Sequence, residues 1–119
     1  MFKCGSDIVK VSRIEKLINE KEKSINKLFS EEEIKYCTVS NEKQKVLHFA
    51  GRFAAKEAIY KALSNTDILI KSWKDIEIIS IGAKLSKPVV KIQGEINENI
   101  DVSISHEDEY AVAMAIYNY

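Results

Sequence analysis

Glu57 lies in the run Gly51-Arg52-Phe53-Ala54-Ala55-Lys56-Glu57-Ala58-Ile59-Tyr60-Lys61-Ala62-Leu63. A helical period puts Arg52 and Lys56 on one face, and Glu57 and Lys61 on the neighbouring face, each pair four residues apart. Three cations and one carboxylate among small apolar residues suit a metal-bridged phosphate better than a solvated helix surface. A second acid, Asp7, stands in Gly5-Ser6-Asp7-Ile8. Magnesium commonly takes one or two protein carboxylates, with water and phosphate oxygens completing its shell. Asp7 and Glu57, with lysines nearby, are therefore enough for a magnesium–phosphate site.

Each of these residues also has a plainer reading. Asp7 follows a strand glycine and reads equally as a bulge acid. Glu57 and Lys61 form an ordinary helix-surface ion pair if nothing else approaches them. His106 ends a strand before Glu107-Asp108-Glu109, as a hairpin residue or as a base or phosphate donor near neutral pH. His48, one turn before Arg52, is the weaker histidine candidate. Neither histidine has zinc-ligand spacing, and there is no Walker loop, Gly-x-Gly-x-x-Gly or nucleophile elbow.

The elements that must position these groups follow from period and punctuation. Phe2 to Val11 reads as a strand interrupted at Gly5-Ser6. A helix capped by Ser12, with Glu15 closing a capping box, carries the apolar stripe Ile14, Leu17 and Ile18. Asn26 to Leu28 reads as a turn or short helix. Ser30 with Glu33 repeats the box and opens a second helix to about Thr38. The third and longest helix runs from near Asn41 to about Leu63, where Ser64-Asn65 stops it. The period then changes to strands at Asp75–Ile81, Pro88–Gln93, Asp101–His106 and Tyr110–Tyr117. One strand, three helices and four strands predict an α+β fold with a largely antiparallel sheet.

At 119 residues the chain reads as one domain with a working core. Its 18 basic and 18 acidic side chains cancel, which argues against nonspecific nucleic-acid binding. The charge is uneven: residues 1–30 hold seven basic and four acidic side chains, residues 62–119 five and nine. The N-terminal third therefore offers a basic face to an acidic partner. Only Arg13 and Arg52 are arginines, a mild pointer to bidentate contacts with carboxylate or phosphate. Cys4 and Cys37 lack ligand spacing and read as reduced, largely buried thiols. No leader-like or membrane-spanning apolar run is visible, so a cytoplasmic protein is expected.

The same segments carry a family resemblance. Gly5-Ser6-Asp7-Ile8 with Arg13-Ile14, the run Gly51 to Ala58 with Lys61-Ala62, and Ser103-Ile104-Ser105-His106 with Tyr110-Ala111 resemble the motifs of holo-acyl-carrier-protein synthase. This is the short bacterial type of phosphopantetheinyl transferase. Phe29-Ser30-Glu31-Glu32-Glu33 with Tyr36-Cys37 is similar to a fourth family segment, and the likeness covers essentially the whole chain. It implies that the phosphopantetheine arm of coenzyme A moves to a serine of apo acyl carrier protein, releasing adenosine 3′,5′-bisphosphate. It further implies magnesium held by Asp7 and Glu57, with Lys61 neutralising the bridging and leaving oxygens. His106 would lie beside coenzyme A, with Arg52 and Lys56 on its phosphates and Lys87 and Pro88 at the adenine. Water on the metal, Glu57 and His106 stay open as the general base. Arg13 would grip the carrier protein, with Lys10, Lys16, Lys21 and Lys23 widening the basic face. The family also implies a homotrimer with active sites at subunit boundaries.

Two positions depart from the family pattern. Ser86-Lys87-Pro88 stands where Gly-Lys-Pro is usual, and Ser6 stands where an apolar residue or threonine is common. Two other functions use the same residues: a coenzyme A pyrophosphate hydrolase, and a noncatalytic module that docks carrier protein or nucleotide. Asp7, Glu57 and Lys61 together argue against the noncatalytic module. The basic first helix argues against a hydrolase, which needs no protein acceptor.

Overall fold

The computed structural model describes residues 1–20, 22–39, 41–80 and 87–119. In chain order it forms β1 (Phe2–Lys10), α1 (Val11–Glu20), α2 (Glu22–Leu28), α3 (Glu31–Thr38) and α4 (Glu42–Leu63). After a 3-10 turn at Trp73–Asp75 come β2 (Ile76–Ile79), β3 (Val89–Ile92), β4 (Glu95–Ile96), β5 (Ile100–His106) and β6 (Tyr110–Asn118). The α+β class holds. The strands divide into two antiparallel three-stranded sheets, β1-β6-β5 and β2-β3-β4, instead of one.

α4 lies on the inner face of the β1-β6-β5 sheet. That face is lined by Gly5, Val9, Val102, Ala111, Ala113 and Ala115, all buried. Small side chains let the helix come close, and at Gly5 hydrogen is the limit. A Cβ there would stand 2.0 Å from the Ala58 carbonyl oxygen and 2.8 Å from the Ala62 nitrogen. β1 therefore runs without the interruption expected at Gly5-Ser6: its register with β6 is continuous from Phe2↔Asn118 to Lys10↔Tyr110. The glycine serves a helix–strand approach, and Asp7 is not a bulge acid.

Helix starts agree with the sequence in two places of three. Ser30 and Glu33 form the full reciprocal capping box of α3, and the Asn41 side chain accepts from the Gln44 N–H at the start of α4. The Ser12 box does not form, because α1 already begins at Val11. The Val11 N–H donates to the Glu109 carbonyl at 2.9 Å, so the residue that leads into β6 takes over a capping duty. Asn26–Leu28 belongs to the full helix α2. Ile81 and Ser86 lie outside the described residues.

Candidate active site

The close approach at Gly5 sets the geometry of the first cluster. Asp7 is two residues further along the same strand face, so it too points at α4, where Glu57 and Lys61 emerge. The Lys61 ammonium lies 3.2 Å from Asp7 Oδ1 and donates to the Ser6 carbonyl at 2.9 Å. Its direct partner is thus Asp7, across the strand–helix junction, and not Glu57 four residues back on its own helix.

Glu57 is half-buried, with the Asp7 carboxyl near enough to act on it. Burial, then the charge and hydrogen bond of Asp7, hold its carboxyl above the usual range, against the opposing pull of Lys61 and Arg13. Two carboxyl groups so near each other favour either a shared proton or a cation between them. The donor set fits magnesium: two hard oxygen ligands, no third ligating side chain gathered among the described residues, and room left for water and phosphate oxygens. A cavity of about 550 Å³ lies against the outer face of the sheet, where Ser6, Ile8, Ser103, Ser105, Val112 and Met114 line it; Asp7 and Lys61 are also among its walls, and Glu57 is not.

A second cluster forms around the N-terminal half of α4. Tyr36, His48, Arg52, Ser80, Pro88 and His106 line a cavity of about 470 Å³. Arg52 is buried, and one terminal nitrogen donates to Ser80 Oγ at 2.9 Å. Among the described residues, Arg52 Nε and His48 Nδ1 are buried without a hydrogen-bond partner. Burial first, then the charges of Arg52 and His106, push His48 below the usual imidazole value. A buried guanidinium and two imidazoles around a cavity are the side-chain types that recognise anions.

The two clusters do not meet within one chain. Asp7 is in register with Ala113 and, through it, Ile104; His106 lies two residues beyond Ile104 on the far strand. Two strand spacings and two residue rises separate the Asp7 and His106 backbones by roughly 12 Å.

The structure removes one expected phosphate ligand. Lys56 is 1% exposed, ion-paired with Glu33 at 2.7 Å, and donates to the Trp73 carbonyl at 3.0 Å and to the Ile76 carbonyl. Its ammonium is used up inside the protein, because the face it shares with Arg52 is covered by α3 and β2. Lys87 turns to Asp101 on the surface at 3.2 Å, leaving Pro88 alone of that pair at the cavity. Lys10, Arg13, Lys16 and Lys23 are all exposed, and Arg13 is near enough for its charge to act on Glu57. Lys21 lies outside the described residues.

The model of the 4′-phosphopantetheinyl transferase superfamily matches residues 3–115. A holo-[acyl-carrier-protein] synthase of Oceanobacillus iheyensis is 40% identical over 112 residues, covering 94% of this chain and 92% of the relative. The chain belongs to the holo-[acyl-carrier-protein] synthases of that superfamily. A Geobacillus family member is 41% identical, with the same two coverages. The solved holo-(acyl-carrier-protein) synthase of Bacillus anthracis, in complex with CoA (3′,5′-ADP), superimposes with a TM-score of 0.76 at 31% identity. The match covers 97% of this chain and 94% of that one.

Three features of this synthase-family site were not legible in its sequence. Glu33 reads as a surface helix cap, yet it is fully buried and also accepts from the Ile78 N–H at 3.1 Å. Ser80 carries no local signal for its bond to Arg52. His48 reads as secondary, yet it shares a cavity with His106; its spacing one turn before Arg52 was the available clue.

Proposed function

We propose that this chain transfers 4′-phosphopantetheine from coenzyme A to a serine of apo acyl carrier protein. The observation that carries this reading is the nearness of Asp7 to Glu57, with Lys61 at 3.2 Å from Asp7, on a chain of this family. The serine oxygen attacks the β-phosphorus, forming a new P–O ester bond. The bond from that phosphorus to the bridging oxygen breaks, and adenosine 3′,5′-bisphosphate leaves with the electron pair. The serine proton passes to a base, for which Glu57, His106 and solvent are the candidates.

Asp7 and Glu57 would hold magnesium, which when bound supplies positive charge to the pyrophosphate oxygens. Lys61, fixed by the Ser6 carbonyl and Asp7, adds a cation beside the leaving oxygens. Arg52 and His106 would receive phosphates of coenzyme A in the second cavity. Arg13, Lys10 and Lys16 form the docking face for the acidic carrier protein, and the reach of the Arg13 charge to Glu57 puts that face beside the chemistry. The family reading carries a cytoplasmic location with it, and unpaired thiols suit a reducing compartment; of the two free cysteines Cys37 is buried as expected, whereas Cys4 is exposed.

A homotrimer resolves the separation of the two clusters. The outer face of the β1-β6-β5 sheet exposes Ile8, Val112, Met114 and Ile116, an apolar stripe that a second subunit would cover. A subunit boundary there would set the Arg52–His106 cavity of one chain against the Asp7–Glu57 pair of the next. Mixing Glu57→Gln and Arg52→Gln subunits, each inactive alone, then regains activity at about a quarter of the sites, since a shared site draws its halves at random. No recovery on mixing would mean that each chain carries a whole site.

The primary test is incubation with apo carrier protein, coenzyme A and magnesium, read by intact-protein mass. A phosphopantetheinyl gain on the carrier is expected. Coenzyme A cleavage without that gain would identify a hydrolase, and no reaction a binding module.

A further inference from the structure

α3 contributes none of the ligands assigned above, yet it meets α4 at the turn that carries Arg52. Glu33 anchors it there. The Glu33 carboxylate caps α3, pairs with Lys56 and accepts from the Ile78 N–H, so α3, α4 and β2 share one buried acid. Three residues further on, the Tyr36 ring lies under Arg52, with the guanidinium carbon 3.9 Å from its centroid. The same ring is 5.2 Å from that of His48.

Arg52 is therefore held in two directions. Tyr36 stacks on one face of its plane, and Ser80 accepts from one terminal nitrogen at 2.9 Å. Arg52 lines the second cavity, and its Nε, buried without a partner among the described residues, has hydrogen-bonding capacity to spare. A long side chain released from such a stack regains rotamer freedom that an incoming phosphate must remove again.

We infer that Tyr36 is a positioning residue: its ring orients the Arg52 guanidinium toward a phosphate of coenzyme A bound in the second cavity. The inference rests on the reading of Arg52 as a coenzyme A ligand. The ring face does the work, so the hydroxyl is dispensable. Tyr36→Phe keeps the face, whereas Tyr36→Leu keeps bulk and removes it.

The test is titration calorimetry with coenzyme A and with adenosine 3′,5′-bisphosphate, on folded protein checked by thermal unfolding, together with steady-state transfer. Tyr36→Leu should weaken both ligands by about fivefold, the size of a partly desolvated cation–π contact, with KM for coenzyme A rising and kcat little changed. Tyr36→Phe should stay within about twofold of the parent. In an Arg52→Gln background, Tyr36→Leu should cost nothing further. Additive losses would mean that Tyr36 touches the ligand by itself, and an equal loss in Tyr36→Phe would move the role to the hydroxyl; either overturns the inference. If Arg52→Gln leaves coenzyme A affinity unchanged, Arg52 is no ligand and the underlying reading falls first.

Discussion

Lys56 and Glu57 are consecutive on α4 and end in opposite surroundings. Lys56 points into the protein, 1% exposed, where Glu33 and two backbone carbonyls saturate it. Glu57 points across the sheet edge at Asp7, half-buried, with its carboxyl held above the usual range. One charge is compensated by the fold, and the other faces a second carboxyl that raises its affinity for a proton. A charged residue on a small-residue helix thus declares a ligand site only when its partners fail to satisfy it.

Substitution on the two sides should separate stability from activity. Glu57→Gln and Asp7→Asn should lower transfer by on the order of 10²–10³-fold or more, measured by carrier mass gain at saturating magnesium. Their thermal midpoints should equal or exceed the parent's, because each variant removes a like-charge repulsion. Any rise of the midpoint on adding magnesium should shrink in both. A variant with near-parent turnover at limiting magnesium would remove that residue from the metal site.

Lys56→Met should do the reverse. It strands the fully buried Glu33 carboxylate without its ion partner, a defect of about 3–5 kcal/mol in chemical denaturation. Turnover per folded molecule should stay near the parent's. Pairing it with Glu33→Gln should recover part of the loss, since the stranded charge is then gone. A stable but inactive Lys56→Met would return Lys56 to the phosphates and erase the contrast.

How far the sequence foretold this contrast depends on the range of the contacts involved. The Ser30–Glu33 box, the start of the long helix near Asn41 and the strand at Asp101–His106 are set locally, and all three were legible. The Ser12 box failed because Glu109, distant in sequence, satisfies the Val11 N–H. β4 was missed because Gln93 and Gly94 both take positive φ, 53° and 86°, in the tight turn of a hairpin. A glutamine at the first of those positions carries little turn signal. Asp7, Glu57 and Lys61 were nameable as residues, but the pairing of Lys61 with Asp7 depends on how closely Gly5 lets β1 approach Ala58. Lys56 shows the limit most clearly, since its burial is decided by a glutamate on another helix.

A smaller effect should appear at the basic face. Arg13→Glu reverses an exposed charge near the acid pair, and should raise KM for carrier protein by about tenfold at low salt. The penalty should fade as ionic strength rises, because exposed charges are screened over about 10 Å at 0.1 M salt. Binding of coenzyme A alone should hold, since Arg13 does not line the second cavity. A salt-independent loss, or an equal loss of coenzyme A affinity, would take Arg13 out of the docking face.

The smallest expected signal is a proton. His48 is pushed below the usual imidazole value of 6.5 by burial and by the cations beside it, so the folded state resists its protonation. The linked stability is fully present above 6.5 and declines as pH falls below it, where the unfolded chain takes up the proton first. His48→Gln should flatten that part of the stability–pH curve. A phosphate bound in the cavity would offset the Arg52 charge and raise the imidazole again. Coenzyme A should then bind with proton uptake near pH 6, seen as a dependence of the calorimetric heat on buffer ionisation enthalpy. The uptake should vanish in His48→Gln and persist in Glu57→Gln, which separates the Arg52 end of α4 from the Glu57 end. Uptake that follows Glu57 instead would place the phosphates of coenzyme A wholly beside the acid pair.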